Sequence, residues 1–318
     1  MITAFLNKPH SIENPAKASA QLQAASWLDA VAPTSEEVSA LEALLETAIP
    51  SRDQVSEIEA TSRLFAHDDV AFITLSHIID VEAGRPQLTP ATFILKRDRL
   101  VTLRDRDSRA FNAFRNQWTD DYHKKKPSAI LSELLNVIIE RAADVIEETQ
   151  TNVNTISEQL LVEKKKPVTS LSDVVRSIGL HQIKAALVQE SLIELERALS
   201  FINSLPMDRF PLATDKMWKS VARDCRSLQE HTNFITANLG FLLQAAQGLI
   251  NERQNDTIKL LSIISILFLP PTLLASIYGM NFSQMPGLQH ELGFPIAVLA
   301  MLASSVAPLI LAKRWRWL

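Results

Sequence analysis

The sequence predicts an α+β domain, then long helices, and finally a C-terminal hairpin of two transmembrane helices. Strand-like apolar segments are confined to the first part of the chain, and heptad-like apolar spacing follows Pro127. Two apolar stretches without charged residues, 260–278 and 294–312, lie near the end. A helix needs about 20 such residues to span the hydrocarbon core of a bilayer. We therefore expect a large domain attached to a membrane by its C-terminal hairpin.

The N-terminal part of the chain is predicted to mix strands and helices. Thr34 and Glu37 have the spacing of a capping box, which indicates the start of a helix. The β-branched run Val70–Ile79 is typical of a buried strand. Ala91–Leu95 and Leu100–Leu103 flank four charged residues and predict a hairpin. Strands followed by long helices indicate an α+β or three-layer domain.

The middle of the chain is predicted to be entirely helical. Apolar residues from Leu131 to Leu160 recur at near-heptad spacing, and a second helical pattern runs from Ser170 to Leu205. These segments should pack as an antiparallel hairpin. A third helix would run from Thr214 through the first membrane span, a length of about 97 Å at 1.5 Å per residue. Because such a helix cannot bury its surface alone, it implies a stalk in an oligomer.

The predicted organisation has seven segments, and charge orients them. They are an α/β domain at 1–125, a helical hairpin at 126–210, a stalk helix at 211–259, a first transmembrane helix at 260–281, a loop at 282–293, a second transmembrane helix at 294–312 and a basic tail at 313–318.

The loop contains no Lys or Arg, whereas Arg253, Lys259 and Lys313 flank the hairpin. Since positive residues favour the cytoplasmic side, both termini should be cytoplasmic and the loop extracytoplasmic.

Charge, cysteine content and motifs exclude several classes of function. The segment from Glu252 onward has five basic and three acidic residues, so of the total charge of −4 the preceding residues carry −6. A mildly acidic domain argues against nucleic acid as a partner. The single cysteine, Cys225, excludes an intramolecular disulfide. Since neither a Gly-rich phosphate loop nor a His-Glu-x-x-His motif occurs, we expect no enzyme, no ATP-driven pump and no resident cofactor.

One face of the first transmembrane helix carries small and polar side chains at a period of 3.5 residues. These are Asn255, Ser262, Ser265, Thr272 and Ser276, with Leu269 between them. Two interpretations remain open: close helix packing, for which membrane helices use small residues, and lining of a pore. The opposite face is large and apolar and is expected to contact lipid. It comprises Leu260, Ile264, Leu267, Phe268 and Leu274.

A pair of prolines, Pro270 and Pro271, lies at the centre of the same span. Proline has no N–H, so each proline leaves the carbonyl one turn earlier without its helical donor. Inside a bilayer such a carbonyl must find a partner in protein or in water. A water-filled axis would provide one, and a packing kink is the alternative.

The end of this helix, Gly279-Met280-Asn281, indicates which ion a pore could select. Mg2+ gives up its water reluctantly. Neutral carbonyl and amide oxygens can bind the hydrated ion through its waters, whereas carboxylates would bind harder and slow its release. Gly279 permits an unusual backbone that aims carbonyls inward, and Asn281 offers an amide oxygen. We interpret the three residues as a candidate selectivity filter.

At these residues the sequence resembles the CorA family of divalent-cation channels, the two-helix GxN superfamily. The resemblance is carried by Gly248–Asn251, Phe268–Leu273, Tyr278–Phe282, Met285-Pro286 and Gly293–Pro295. It implies a funnel-shaped homopentamer in a bacterial inner membrane, whose first transmembrane helices line the pore and whose termini are cytoplasmic. The ions would be Mg2+, Co2+ and also Ni2+, and lipid would surround the hairpin.

The resemblance also implies roles for individual residues. Gly279, Met280 and Asn281 would form the extracytoplasmic selectivity ring. By residue-for-residue match, the deeper polar rings are Asn255 and Thr272 and the apolar constrictions are Ile258, Leu261 and Leu269; Ser265 and Ser276 of the polar face complete the predicted pore lining. Cytoplasmic Mg2+ bound between subunits would close the channel, and Asp224 is the candidate ligand for that regulatory ion.

The loop between the spans departs from the family pattern. Where the family often has an acid that gathers cations at the mouth, this chain has Gly287. Glu291 is the only acid of the loop, and it is the candidate to replace the missing one.

Two other functions remain open. One is a proton-coupled Zn2+ transporter of the same superfamily, although Met280 and the proline pair favour the magnesium branch. The other, from a different class, is a membrane-anchored helical scaffold that conducts no ion.

The filter assignment predicts that Asn281→Ala abolishes Mg2+ flux while folding stays intact, because the substitution removes a ring of neutral oxygens. Flux into liposomes and the thermal unfolding of the purified variant check this prediction. A scaffold would tolerate the change, and normal flux in the variant would contradict the assignment.

Overall fold

The computed structural model describes residues 1–6, 9–12, 18–51, 63–119, 121–161, 170–210, 215–280, 285–287, 290 and 292–314. The chain divides into two compact units, Met1–Leu243 and Gln244–Leu318. The first contains a β-sheet with helices, and the second contains the C-terminal apolar helices. The predicted fold class is therefore confirmed.

The described elements are named in chain order. The strands are β1 (Ile2–Phe5), β2 (Pro9–Ile12), β3 (Trp27–Val31), β4 (Leu64–His67), β5 (Val70–Ile79), β6 (Gln87–Lys96) and β7 (Leu100–Arg104). The helices are α1 (Ser19–Ala24), α2 (Ser35–Leu45), α3 (Arg109–Asn116), α4 (Pro127–Leu161), α5 (Leu171–Ser204), α6 (Asp215–Tyr278) and α7 (Gly293–Arg314). A 3-10 turn, Tyr122–Lys124, precedes α4.

The seven strands form one sheet in the order β2-β1-β3-β7-β6-β5-β4. Only β3 and β7 pair in parallel in this sheet; its other neighbours are antiparallel. One face packs on α1 and α2 through a buried apolar cluster that includes Leu22, Leu41 and Val101. The other face packs on α3, where Phe93 of β6 stacks on Phe111 at 6.1 Å between ring centroids. Helices on both faces make the three layers that the sequence indicates.

The elements predicted from local patterns are present. Thr34 Oγ1 accepts a hydrogen bond from the Glu37 N–H at 3.3 Å, and a Glu37 carboxylate oxygen accepts one from the Thr34 N–H at 2.9 Å, which completes the capping box of α2. The strand predicted at Val70–Ile79 is β5, and all ten of its residues are buried. Lys184 of α5 contacts Glu148 of α4 at 2.9 Å, so the two long helices pack side by side.

A buried carboxylate, Asp29, joins β3, β7 and α3. Its side chain is fully buried and accepts hydrogen bonds from Arg104 at 2.9 and 3.1 Å, from the Thr102 hydroxyl at 2.8 Å and from Arg115 Nε at 3.0 Å. The Arg104 guanidinium also lies over the Phe111 ring, 4.4 Å from its centroid. Burial alone would lower the pKa of Arg104, but the hydrogen bonds to Asp29 raise it. The Arg104 guanidinium therefore stays charged inside the domain.

The outer edge of β5 is covered by side chains of α5. Among the described residues, strand β4 pairs with β5 as far as Ile73, and no described strand pairs with the backbone of Ser76 on that side. The Ser76 N–H donates to the Glu194 carboxylate at 2.5 Å, and the Ser76 carbonyl accepts from the Ser191 hydroxyl at 2.8 Å. Arg63 holds Glu194 in place with two hydrogen bonds of 2.7 and 2.8 Å. Polar groups of the helix thus replace a neighbouring strand.

Because Asp29 is the shared partner of two arginines, Asp29→Ala should lower the free energy of unfolding by about 3–5 kcal/mol, the usual cost of leaving a buried charge unpaired. The matched control is Glu82→Ala, since Glu82 also contacts two arginines but its side chain is 55% exposed. That variant should lose about 1 kcal/mol or less. Chemical denaturation of the detergent-solubilised protein measures both values, and equal losses would contradict the role of burial.

Buried His77 should make the stability of the first unit depend on pH. Burial and, to a smaller extent, the charge of Arg104 together lower the pKa of His77 from 6.5 to about 4. Between these pH values the unfolded chain binds the extra proton, so acidification costs the folded state about 3 kcal/mol. His77→Leu should flatten the stability profile from pH 6.5 down to 4. Denaturation series at several pH values check this, with the exposed His67→Gln as the control; parallel profiles of His77→Leu and the parent would contradict it.

Candidate ion-conduction site

The apolar helices of the second unit frame the candidate site. In the described part of the chain, one helix, which ends at Tyr278, is long and apolar enough to cross a membrane. The described apolar stretch of α7, Gly293–Pro308, is shorter than such a span. Helix α6 continues through Pro270 and Pro271 without a break, as the sequence predicts.

The described pore-lining candidates share one side of α6, and all of them are exposed in the single chain. They are Asn255, Ile258, Leu261, Ser265, Leu269, Thr272 and Ser276, followed by Gly279 and Met280. The Ser265 hydroxyl donates to the Leu261 carbonyl at 2.9 Å, and the Thr272 hydroxyl donates to the Phe268 carbonyl at 2.6 Å. Their donor hydrogens are therefore used within the helix, and lone pairs of the hydroxyl oxygens remain to accept.

The opposite side of α6 carries the partly buried positions. They are Ile263, Leu267, Pro270, Pro271 and Leu274. At 100° per residue, the centre of this set lies about 170° around the helix from the centre of the pore-lining candidates. This corrects one expectation: Leu267 and Leu274, predicted to contact lipid, are partly buried, and the Leu267 carbonyl is in contact with Ser305 of α7. Leu260, Ile264 and Phe268 are exposed, as a lipid-facing surface requires.

A hydroxyl on α7 takes the place of the N–H that Pro271 lacks. The Ser305 hydroxyl donates to the Leu267 carbonyl at 3.1 Å. Leu267 lies four residues before Pro271, so its carbonyl has no donor within the helix. Of the two partners that the sequence left open for this carbonyl, protein and water, the structure provides protein. The sequence reasoning did not identify Ser305, although a Ser pair within an apolar span was a signal for it.

The described end of the candidate filter continues the helical turn. The Gly279 N–H donates to the Ala275 carbonyl at 2.9 Å, and the Met280 N–H donates to the Ile277 carbonyl at 3.2 Å. Gly279 does not adopt a left-handed φ, so glycine is not required here for that backbone. A Cβ at this position would lie 3.1 Å from the Ala275 carbonyl oxygen, and this close approach favours glycine. Asn281 lies outside the described residues.

Two glycines of the loop, Gly287 and Gly293, lie in contact with each other. Gly287 has φ +88°, a conformation that favours glycine, and this accounts for a glycine where the family often has an acid. A Cβ on Gly293 would lie 2.2 Å from the Gly287 carbonyl oxygen, so only glycine fits there. The His290 N–H donates to the same carbonyl at 3.3 Å. Glu291, the predicted loop acid, lies outside the described residues.

The regulatory candidate, Asp224, is exposed on α6 in the first unit. Its nearest described polar contact is Ser220, whose hydroxyl lies 3.5 Å from the carboxylate. Within the described ranges, no group of three or more His, Cys, Asp or Glu side chains could hold a metal ion.

The contact between Gly287 and Gly293 predicts that Gly293→Ala displaces the loop, because the new methyl group would overlap a backbone carbonyl. We expect the variant to lose most of its Mg2+ flux while the first unit keeps its stability. Flux into liposomes and thermal unfolding measure the two effects. The matched control is Gly179→Ala in α5, whose added Cβ meets no atom within 4 Å; equal flux in the two variants would contradict the prediction.

Comparison with known proteins supports one assignment. Residues 23–314 match the family described as CorA-like Mg2+ transporter protein. The chain is 34% identical to the magnesium transport protein CorA of Mannheimia succiniciproducens, over 93% of each chain, and 31% identical to that of Haemophilus influenzae, over the full length of both. Its fold is similar to that of the CorA magnesium transporter from Methanocaldococcus jannaschii, with a TM-score of 0.72 over 99% and 98% of the chains at 17% identity. The chain therefore belongs to the CorA-like Mg2+ transporter family, whose members are ion transporters and not enzymes.

Proposed function

We propose that five copies of this chain form a channel that carries Mg2+ into the cytoplasm across the bacterial inner membrane, and that also passes Co2+ and Ni2+. The observation that carries the proposal is the exposed, uncharged side of α6 that lies opposite α7 and runs to Gly279 and Met280. Family membership supports Mg2+ as the ion. The pentameric state rests on the resemblance to the family.

The spacing of exposed residues along α6 supports association around an axis. Phe234 and Phe241 are each 57% exposed and lie seven residues apart. The same seven-residue step leads through Gly248 to Asn255, Ser262, Leu269 and Ser276, all of them exposed. A strict seven-residue repeat imposes a left-handed supercoil and gives each helix a continuous contact face. Several parallel copies of α6 would place these residues around a common axis.

The polar groups on this side suit a cation that keeps its water. Water molecules around Mg2+ point their hydrogens outward, so they need acceptors from the pore. Ser265 and Thr272 each donate to a carbonyl of their own helix, which leaves lone pairs on their hydroxyl oxygens to accept from those waters. Neutral oxygens bind the hydrated ion weakly enough for it to leave. Gly279, Met280 and Asn281 form the selectivity ring in this proposal.

The remaining assignments concern orientation and control. Both termini lie in the cytoplasm, with a stalk helix before residue 260 and an extracytoplasmic loop at 282–293, in which Glu291 attracts cations. When cytoplasmic Mg2+ is plentiful, Mg2+ bound between subunits with Asp224 as a ligand closes the channel. Exposure of Asp224 in the single chain agrees with a site that two subunits complete.

The test of the proposal is Mg2+ uptake into proteoliposomes at an inside-negative potential, with and without cobalt hexammine outside. We expect uptake that this inert mimic of a hydrated ion blocks. Protein-free liposomes and liposomes with the Asn281→Ala variant are the controls. Zn2+ uptake that rises with a proton gradient, without Mg2+ uptake, would assign the chain to the zinc branch. Absence of any uptake would favour the scaffold.

A further inference from the structure

The Ser305 hydroxyl joins the two membrane helices at the proline pair of α6, where the backbone of the helix lacks hydrogen-bond donors. It donates to the Leu267 carbonyl at 3.1 Å, and this carbonyl has no helical donor because Pro271 has no N–H. We propose that Ser305 is a positioning residue for conduction: it holds the backbone of α6 at the proline pair so that the pore-lining side chains on either side stay aligned. This inference rests on the proposed channel function.

The position of Leu267 explains why its peptide group matters for the pore. It lies between Ser265 and Leu269, both of which are pore-lining candidates, while its own side chain is partly buried on the side that meets α7. A rotation of the peptide group after Leu267 would change the direction of the helix that carries Leu269 and Thr272. In hydrocarbon no water can take over an unpaired carbonyl, so the group is held only as long as a protein donor reaches it.

The Ser305 hydroxyl has two acceptors within reach, the Leu267 carbonyl and the Met301 carbonyl. It lies 3.3 Å from the Met301 carbonyl, one turn earlier on α7. The Met301 carbonyl already accepts the backbone N–H of Ser305 in a regular helix, so it does not need the hydroxyl. When the hydroxyl turns to Met301, the Leu267 carbonyl is left without a donor. The bond to Leu267 therefore has the larger effect on the pore helix.

A double-mutant cycle tests the proposal with Mg2+ influx into proteoliposomes. Ser305→Ala should lower influx about threefold, a change consistent with one interhelical hydrogen bond in a membrane. Pro271→Ala restores an N–H for the Leu267 carbonyl. In that background, the change in the logarithm of influx caused by Ser305→Ala should be less than about half of its value in the parent protein. An unchanged or raised influx in Ser305→Ala, or the same loss in both backgrounds, overturns the proposal.

Two further variants separate positioning from general packing. Ser305→Thr keeps the hydroxyl and should restore influx to near the parent value. Ser304→Ala is the matched control, because the Ser304 hydroxyl bonds to the Met301 carbonyl of its own helix at 2.8 Å. It should leave influx unchanged. If Ser304→Ala lowers influx as much as Ser305→Ala does, or if Ser305→Thr fails to restore it, the hydroxyl of Ser305 has no special role.

A spectroscopic measurement tests the hydrogen bond even if the parent protein shows no Mg2+ influx. Only two Leu-Phe pairs occur in the chain, Leu64-Phe65 and Leu267-Phe268. Labelling Leu at the carbonyl carbon and Phe at the backbone nitrogen therefore selects two carbonyl signals in solid-state NMR. Ser305→Ala should shift the Leu267 signal and leave that of Leu64 in place. Absence of a shift overturns the hydrogen bond itself, whereas absence of flux in the parent overturns the proposed function.

Discussion

The hydrocarbon of a bilayer contains no water that could pair with backbone N–H and C=O groups, and the second unit depends on this constraint. A helix satisfies it through its own hydrogen bonds, and the proline pair interrupts them at the middle of α6. The carbonyl of Leu267 is therefore paired with a side chain of the neighbouring helix, Ser305. Because α7 approaches on that side, the opposite side of α6 is left uncovered in the single chain. The pore-lining candidates lie on this uncovered side.

In the first unit the corresponding constraint concerns charged side chains, which need a partner when they are buried. Asp29 and Arg104 are both buried and paired with each other; Asp29 also accepts from the Thr102 hydroxyl, and Arg104 also donates to the Asp107 carboxylate. Since their bonds link β3 and β7 to each other and to α3, the only parallel pair of the described sheet is also the place where its charges are concentrated. A buried ion pair adds little net stability compared with apolar residues. A wrong register of β3 on β7, however, would leave its charges buried without a partner. We interpret it as the feature that makes the central pairing unique.

Local patterns were sufficient to predict some parts of this molecule. The capping box at Thr34, the strand at Val70–Ile79, the long helices and the polar side of α6 all depend on residues close in sequence. Strand β3 was not predicted because Asp29 interrupts its apolar pattern, and the partner that makes the carboxylate acceptable is Arg104, 75 residues away.

The candidate site was predicted only in part for the same reason. Its polar side chains follow a period that one helix reveals, whereas Ser305 and the contact between Gly287 and Gly293 depend on how two distant segments meet. The role of glycine at 287 became clear from its positive φ, which spacing does not encode. The filter and regulatory assignments stay predictions.

The covering of the β5 edge by α5 has a consequence for biosynthesis. Ser191 and Glu194 follow Ser76 by 115 and 118 residues, so a nascent chain displays an unpaired strand edge long after β5 has left the ribosome. Edges of this kind recruit other strands and promote aggregation. Glu194 also precedes residue 260, so the residues that close the edge are translated before the apolar part of α6. Synthesis from the N-terminus thus allows the sheet to be completed before the chain is delivered to the membrane.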